Sequence, residues 1–162
     1  MNLFGAARLT QLVLPGVRER RSGTIVNLSS TGGRVYTPLG SWYHATMHAL
    51  EGWSDCLRLG LAPLGITVIV IEPGSTDTEF TQVDAARLVQ PSGSGPYAEL
   101  AAQVADSTRT TYQKGTTPPS VIADVMAGAC TARRPKTRYV AGWHARSLTT
   151  MRSGSATGPT TA

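Results

Sequence analysis

Cysteine and aromatic residues are scarce in this sequence, and long apolar runs are absent. Cys56 and Cys130 lie far apart and form no CxxC motif, so we expect a reduced chain without a disulfide framework. No run approaches the roughly 18 apolar residues that a membrane span requires. The first residues also lack the basic and apolar segments of a signal peptide. These absences predict one cytoplasmic domain with no membrane partner.

Acidic residues are outnumbered, with 10 Asp and Glu against 15 Lys and Arg, which gives a net charge of +5. Such an excess raises the question of nucleic acid, because Lys and Arg neutralise phosphates. The arginines of 18–21 close one predicted helix around Glu19, however, and the basic residues of 133–138 flank another helix end. No nucleic-acid-binding motif accompanies them. We therefore expect a solvated charged surface and no nucleic-acid partner.

Predicted helices and strands alternate along the chain. Apolar spacing and β-branched runs predict helices over 2–21, 41–62, 97–112 and 120–132, and strands over 24–29, 66–71 and 137–142. Pro15 should bend or shorten the first helix. The order indicates an α/β fold of about three parallel strands, because each crossover helix must pack back on the sheet. Strand 24–29 should form an apolar, unpaired edge.

Two further features bear on the limits of the domain. From Ser147 the chain consists mainly of Ser, Thr, Gly and Ala, which bury too little apolar surface to order a segment. We therefore expect a folded domain over 1–146 and a disordered tail over 147–162. No GxGxxG or TGxxxGxG motif follows an opening strand, so the phosphate-binding half of a dinucleotide fold is expected to be missing.

Hydroxyl side chains end the first predicted strand and begin the next helix. Ser30 closes the run NLSS, and Tyr43 follows in SWYHATMHAL. The carboxyl ends of parallel strands line the ligand crevice of an α/β layer, so the two side chains could converge there. Simpler interpretations stay open, since a serine at a strand end often caps the next turn and a helical tyrosine often packs with its hydroxyl in water.

His44 and His48 lie one helical turn apart, which is the spacing of zinc ligands. No glutamate follows His44 to act as a base, and no third ligand is evident. We therefore predict two structural histidines and no metal site.

The runs NLSS, YHATM and EPGSTDT, in this order and spacing, resemble the C-terminal part of the classical short-chain dehydrogenase/reductase (SDR) family. The resemblance covers residues 2–142 and implies a partial Rossmann-like, doubly wound parallel sheet. It also implies an oxidoreductase that interconverts a small alcohol and ketone with NAD or NADP. Residues 79–112 would form the family's variable substrate lid, so the substrate cannot be identified from the sequence.

The resemblance also implies roles for individual residues. Ser30 would orient the substrate carbonyl and Tyr43 would exchange its proton. Asn2 would hold a proton-relay water, although an N-cap of the first helix is a simpler explanation. The cofactor-binding residues implied at the nicotinamide end are Pro73, Gly74 and Thr78, together with Tyr43.

One residue departs from the family pattern. The family has a lysine four residues after the tyrosine, where this chain has Met47. That lysine favours the ionised tyrosine and bonds the cofactor ribose. A unit charge about 4 Å from a phenolate is worth ~4 kcal/mol at an effective dielectric near 20. Tyr43 should therefore stay protonated at neutral pH, and we expect a truncated, inactive SDR whose packing survives.

A non-catalytic alternative also remains open. In the SDR family, the helices that correspond to 2–21 and 41–62 pack against a neighbouring subunit. The chain could therefore form a homodimer through them, or associate with a full-length relative.

Overall fold

The computed structural model of the protein describes residues 1–79 and 95–155. Its five longer helices are α1 (Phe4–Arg20), α2 (Ser41–Leu61), α3 (Ala98–Lys114), α4 (Pro119–Thr131) and α5 (Ala145–Ser155). Its strands are β1 (Gly23–Leu28), β2 (Ile66–Pro73) and β3 (Arg138–Ala141). Each of the helices and strands predicted from the sequence is present, with bounds that differ by a few residues. In the described part of the chain, none of the helices is both long and apolar enough to cross a membrane.

The three strands form one parallel sheet in the order β1-β2-β3. The register pairs Leu28 with Ile71 and Glu72 with Val140. This arrangement confirms the predicted α/β class and parallel sheet. Among the described residues β1 pairs with β2 alone, so the predicted open edge is found, with Leu28 exposed on it.

The core is built around β2, whose alternate side chains face opposite sides of the sheet. On one face, Ile66 and Val68 pack with Leu61 and with partly buried residues that include Leu14 and Val17 of α1. On the other face, Ile69, Ile71 and Ala141 pack against Ile122 and Ala129 of α4. Helices therefore cover both faces of the sheet, which explains the continuous apolar sequence of β2.

Pro15 does not shorten α1, because the helix continues past it to Arg20. A proline inside a helix removes one N–H donor, here the donor for the Gln11 carbonyl. Pro15 and Gln11 are both exposed, so water can hydrogen-bond that carbonyl. Of the two effects expected of Pro15, shortening is therefore not found, and bending stays a prediction.

The segment after β3 begins as a helix, whereas composition predicted a disordered tail from Ser147. α5 starts at Ala145, which is fully buried, and Leu148 donates its N–H to the His144 carbonyl at 3.0 Å. A buried first residue anchors the helix to β3, and composition alone does not reveal such an anchor. Residues 156–162 of the predicted tail lie outside the described residues, so the domain boundary at 146 stays a prediction.

Candidate functional site

Ser30 and Tyr43 lie on either side of Gly32. Ser30 precedes a short 3-10 turn, Thr31–Gly33, and Tyr43 lies in the first turn of α2. A Cβ atom built on Gly32 would be 2.7 Å from Tyr43 Cε1 and 3.4 Å from Ser30 Oγ. The absence of a side chain at Gly32 therefore lets the tyrosine ring approach the serine.

The Ser30 side chain caps the turn that follows it. Its Oγ accepts a hydrogen bond from the Gly32 N–H at 3.0 Å. The hydroxyl proton remains available for donation, because this hydrogen bond uses the oxygen only as an acceptor. The simpler interpretation of Ser30 as a cap is thus correct, and it leaves the hydroxyl half-buried beside Tyr43.

Asn2 lies beside α2 and does not cap α1. Helix α1 begins at Phe4, whereas the Asn2 side-chain N–H donates to Thr46 Oγ1 at 3.2 Å. Thr46 Oγ1 in turn donates to the Tyr43 carbonyl at 2.8 Å. Asn2, the predicted relay residue, therefore contacts α2 at Thr46, which lies three residues after Tyr43 on that helix.

Met47 is buried in the face of α2 that packs on the sheet, with only 6% of its surface exposed. Tyr43 and Met47 are neighbours on the helix because residues four apart share a face. A thioether offers no N–H donor and no charge. At the position of the family lysine, this chain therefore presents an apolar side chain.

Pro73 and Gly74 lie at the same end of the sheet as Ser30. The Ser29 N–H donates to the Ile71 carbonyl at 2.8 Å, so the two strand ends are adjacent. A Cβ on Gly74 would lie 2.3 Å from the Trp143 carbonyl oxygen. Packing alone therefore requires glycine at this position, whether or not Gly74 contacts a cofactor. Thr78 is exposed and lies two residues before segment 80–94, a part of the expected lid that lies outside the described residues.

A group of charged side chains, which we call the ionic cluster, joins the same loops to α2. Arg34 donates to Glu72 at 2.7 Å, and Arg138 donates to Glu51 at 2.9 Å and to Asp55 at 2.6 Å. Glu72 has no exposed surface, and it lies one residue before Pro73. Arg138, the first residue of β3, also lies 3.3 Å from Glu72, so the ionic cluster links the loop after Ser30 and the end of β2 to α2.

Burial and pairing have opposite effects on the acids of this cluster. Burial raises the pKa of Glu72, and the hydrogen bond from Arg34 opposes that rise. The hydrogen bond from Arg138 lowers the pKa of Asp55. The sequence analysis missed this cluster, although a single acid directly after the apolar run of β2 was a signal for a buried, paired carboxylate.

His44 and His48 have protein partners. The two ring nitrogens of His44 lie 2.8 Å from the Gly32 carbonyl oxygen and 3.0 Å from the Thr37 N–H nitrogen. His48 Nδ1 lies 2.8 Å from the His44 carbonyl oxygen. Within the described ranges, no three His, Cys, Asp or Glu side chains are grouped so that they could hold a metal ion.

An open cavity of about 790 Å³ lies elsewhere, at the carboxyl end of β3. Its walls come from α4, β3 and α5, and they include Val125, Trp143 and His144. Ser30 and Tyr43 are not among its lining residues. The cavity and the predicted catalytic residues are therefore separate features.

Comparison with known proteins identifies the family to which the chain belongs. The family model described as short chain dehydrogenase matches residues 1–88. An uncharacterized oxidoreductase of Schizosaccharomyces pombe is 35% identical over 143 residues. The alignment covers 87% of this chain and 58% of that protein, so the chain spans little more than half of its relative.

Two solved structures extend the likeness to three dimensions. A short-chain dehydrogenase from Streptomyces avermitilis matches with a TM-score of 0.75 at 30% identity, over 95% of this chain and 55% of that one. A 3-oxoacyl-acyl-carrier-protein reductase with bound NAD from Brucella melitensis matches with a TM-score of 0.56 at 28% identity, over 82% and 42%. The sequence motifs, the parallel sheet and these matches together establish that the chain belongs to the short-chain dehydrogenase family.

Proposed function

We propose that the chain derives from an oxidoreductase that interconverts a secondary alcohol and a ketone with NAD or NADP, and that it is catalytically silent as it stands. The observation that carries the proposal is Met47, a buried thioether four residues after Tyr43 on the same helix face. In the proposed ancestral site, Ser30 orients the carbonyl, Tyr43 transfers a proton and Asn2 holds a relay water.

The residues present do not fit a bound dinucleotide. In the family, the lysine four residues after the tyrosine bonds the cofactor ribose, and Met47 offers no N–H donor in its place. The sequence also contains no GxGxxG or TGxxxGxG motif after an opening strand, which is the usual cradle for a pyrophosphate. Pro73, Gly74 and Thr78 remain candidates for the nicotinamide end, but Gly74 already packs against the Trp143 carbonyl. NAD or NADP is therefore assigned to the ancestral reaction only.

The loss of the lysine has a direct chemical consequence. General acid and base catalysis is most efficient when the pKa of the group lies near the working pH. A tyrosine ordinarily ionises near pH 10, and Met47 supplies no charge that favours its phenolate. The cation that would assist proton transfer by Tyr43 is therefore absent at position 47, which is the basis of the proposed loss of activity.

Restoring the lysine in two contexts tests the proposal. Met47→Lys in this 162-residue chain should give no turnover of secondary alcohols or ketones with NAD(H) or NADP(H). The same substitution in a chimaera that adds the N-terminal half of an SDR relative should give turnover, whereas Met47→Leu in that chimaera should not. Turnover by the short Met47→Lys chain, or equal turnover by the two chimaeras, would contradict the proposal.

A second candidate function, a dimerisation module, is favoured by exposed apolar residues on α1 and α2. Helix α2 carries a stripe of exposed apolar and small residues, which we call the apolar stripe: Trp42, Ala45, Ala49, Gly52, Cys56 and Leu59. Helix α1 exposes Phe4, Leu9, Leu12 and Val13. Residues spaced three and four apart on a helix form a continuous face, and small residues let a second helix approach closely.

The oligomeric state tests this second function. Size-exclusion chromatography with light scattering should give twice the monomer mass for the wild type. Ala49→Glu, in the middle of the apolar stripe, should give the monomer mass. Ala102→Glu on the exposed face of α3 is the matched control and should leave the mass unchanged. A wild-type chain that stays monomeric at high concentration would leave only the first function.

A further inference from the structure

His44 is buried between the helix that presents Tyr43 and the loop that begins at Ser30. Only 5% of its surface is exposed. Its Nδ1 lies 2.8 Å from the Gly32 carbonyl oxygen, and its Nε2 lies 3.0 Å from the Thr37 backbone nitrogen. One imidazole thus bonds to both ends of a six-residue stretch of that loop.

These partners determine the protonation state of the ring. The Thr37 backbone N–H can only donate, so Nε2 must accept with its lone pair. The Gly32 carbonyl can only accept, so Nδ1 must carry the proton. His44 is therefore a neutral imidazole with its proton on Nδ1, and Thr37 Oγ1, 2.8 Å from Nε2, can add a second donated hydrogen bond.

The loop is shaped to admit this ring. A Cβ on Gly40 would lie 2.8 Å from both Cδ2 and Nε2 of His44, and a Cβ on Gly32 would lie 3.3 Å from Nδ1. Gly32 also donates its N–H to Ser30 Oγ at 3.0 Å. The Gly32 carbonyl thus accepts a hydrogen bond from His44, and the Gly32 N–H donates a hydrogen bond to Ser30.

We infer that His44 is a positioning residue, which fixes the Ser30 loop against the Tyr43 helix through one tautomer of its imidazole. The catalytic meaning of this contact rests on the proposed function of Ser30 and Tyr43. The contact itself is independent of that function, because it needs neither cofactor nor turnover. His44 touches neither substrate nor cofactor in this account, and it acts through Gly32.

Two magnetic-resonance measurements on the full chain test the inference. The imidazole ¹⁵N shifts at pH 7.5 should show a neutral ring with its proton on Nδ1 for His44, identified as the signal that is lost in His44→Gln and retained in His48→Phe. The Thr37 amide should exchange with solvent about tenfold faster in His44→Phe than in the wild type, since it loses its acceptor. His44→Gln should restore much of the protection, because its amide oxygen can accept in place of Nε2.

His48→Phe is the matched control for these measurements. His48 lies one turn along α2 and stacks on Tyr36 of the same loop, with ring centroids 4.9 Å apart, and phenylalanine retains that stacking. Exchange at Thr37 should be unchanged in this variant.

A proton on Nε2 of wild-type His44, or unchanged Thr37 exchange in folded His44→Phe, would overturn the inference. If His44→Phe does not fold, the wild-type tautomer decides alone. Neither result depends on dinucleotide binding, so the proposed function can be disproved without affecting the inference about His44.

Discussion

Met47 and Glu51 lie one helical turn apart on the buried face of α2. Glu51 uses one carboxylate oxygen to accept from Arg138 at 2.9 Å, and its other oxygen, Oε1, is buried without a hydrogen-bond partner. An unpartnered buried acceptor is costly, and a cation four residues away on the same face could satisfy it. The environment of Met47 is thus better suited to a lysine than its burial alone suggests.

A double-mutant cycle measures this complementarity. Met47→Lys should lower the free energy of unfolding by about 1 kcal/mol. Combining it with Glu51→Gln should cost about 1 kcal/mol more than the two separate losses, because the ammonium then loses its partner. Urea denaturation of the four proteins gives these values. The same cycle with Met47→Leu should be additive, and additivity of the lysine cycle would disprove the pairing.

Asp55 gives a prediction of pH dependence. The hydrogen bond from Arg138 lowers the folded-state pKa of Asp55 below its ordinary value of 3.8. A lowered pKa means that the carboxylate stabilises the fold above pH 3.8, and that this stabilisation is lost as the pH falls through the folded-state pKa. Asp55→Asn should therefore be less stable than the wild type at pH 7, and the difference should shrink below pH 3.8.

Urea denaturation over this pH range makes the comparison. Asp106→Asn is the control, since Asp106 forms an exposed pair with Arg109 on α3 and such pairs contribute little. A difference between wild type and Asp55→Asn that is the same at pH 7 and pH 3 would rule out the Asp55 carboxylate as its source.

At the level of residues, spacing predicted that Ser30 and Tyr43 lie close together, and the structure places both beside Gly32; their catalytic roles stay predictions. This proximity could be predicted because a strand end and the following helix meet at one edge of a parallel sheet. The roles of His44 and Glu72 could not, because their partners lie 7 or more residues away and come close only in the folded chain. Burial of a polar side chain is a property of the whole packing arrangement.

At the scale of elements, Gly60 in α2 is a weakness that can be repaired. Glycine inside a helix costs roughly 1 kcal/mol relative to alanine. A Cβ at Gly60 would meet no atom within 4 Å, so the added methyl group causes no clash. Gly60→Ala should therefore raise the free energy of unfolding by about 1 kcal/mol.

Gly32→Ala is the contrasting variant for that measurement. Its Cβ would lie 2.7 Å from the Tyr43 ring, so it should lower stability by about 1 to 3 kcal/mol. Thermal and urea denaturation of both variants provides the comparison. Stabilisation by Gly32→Ala would show that Tyr43 does not pack against this glycine.

The same elements show which local signals were reliable. The continuous β-branched run of β2 predicted a strand covered on both faces, and Ile69 and Val70 have no exposed surface. The apolar spacing of residues 2–21 predicted a helix through Pro15, and α1 does continue past the proline to Arg20. The helix α5 was missed because its order depends on the buried anchor at Ala145 rather than on its own composition.

At the scale of the whole molecule, the three-stranded sheet has an edge at β1 that pairs with no other strand in the described ranges. An open edge with an exposed Leu28 is a surface on which another strand can add. The site lies next to this edge, since Ser30 follows β1 directly. The proposed substrate residues therefore lie beside this edge, while the sequence carries no GxGxxG or TGxxxGxG motif to hold a dinucleotide.

Dinucleotide binding is the most direct test of the claim that this member of the family is silent. The purified chain should be titrated into NADH and, separately, into NADPH, while nicotinamide fluorescence is followed. An intact short-chain dehydrogenase serves as the positive control under the same conditions. The account predicts no saturable change for either cofactor up to millimolar protein. Saturable binding in the micromolar range would contradict it.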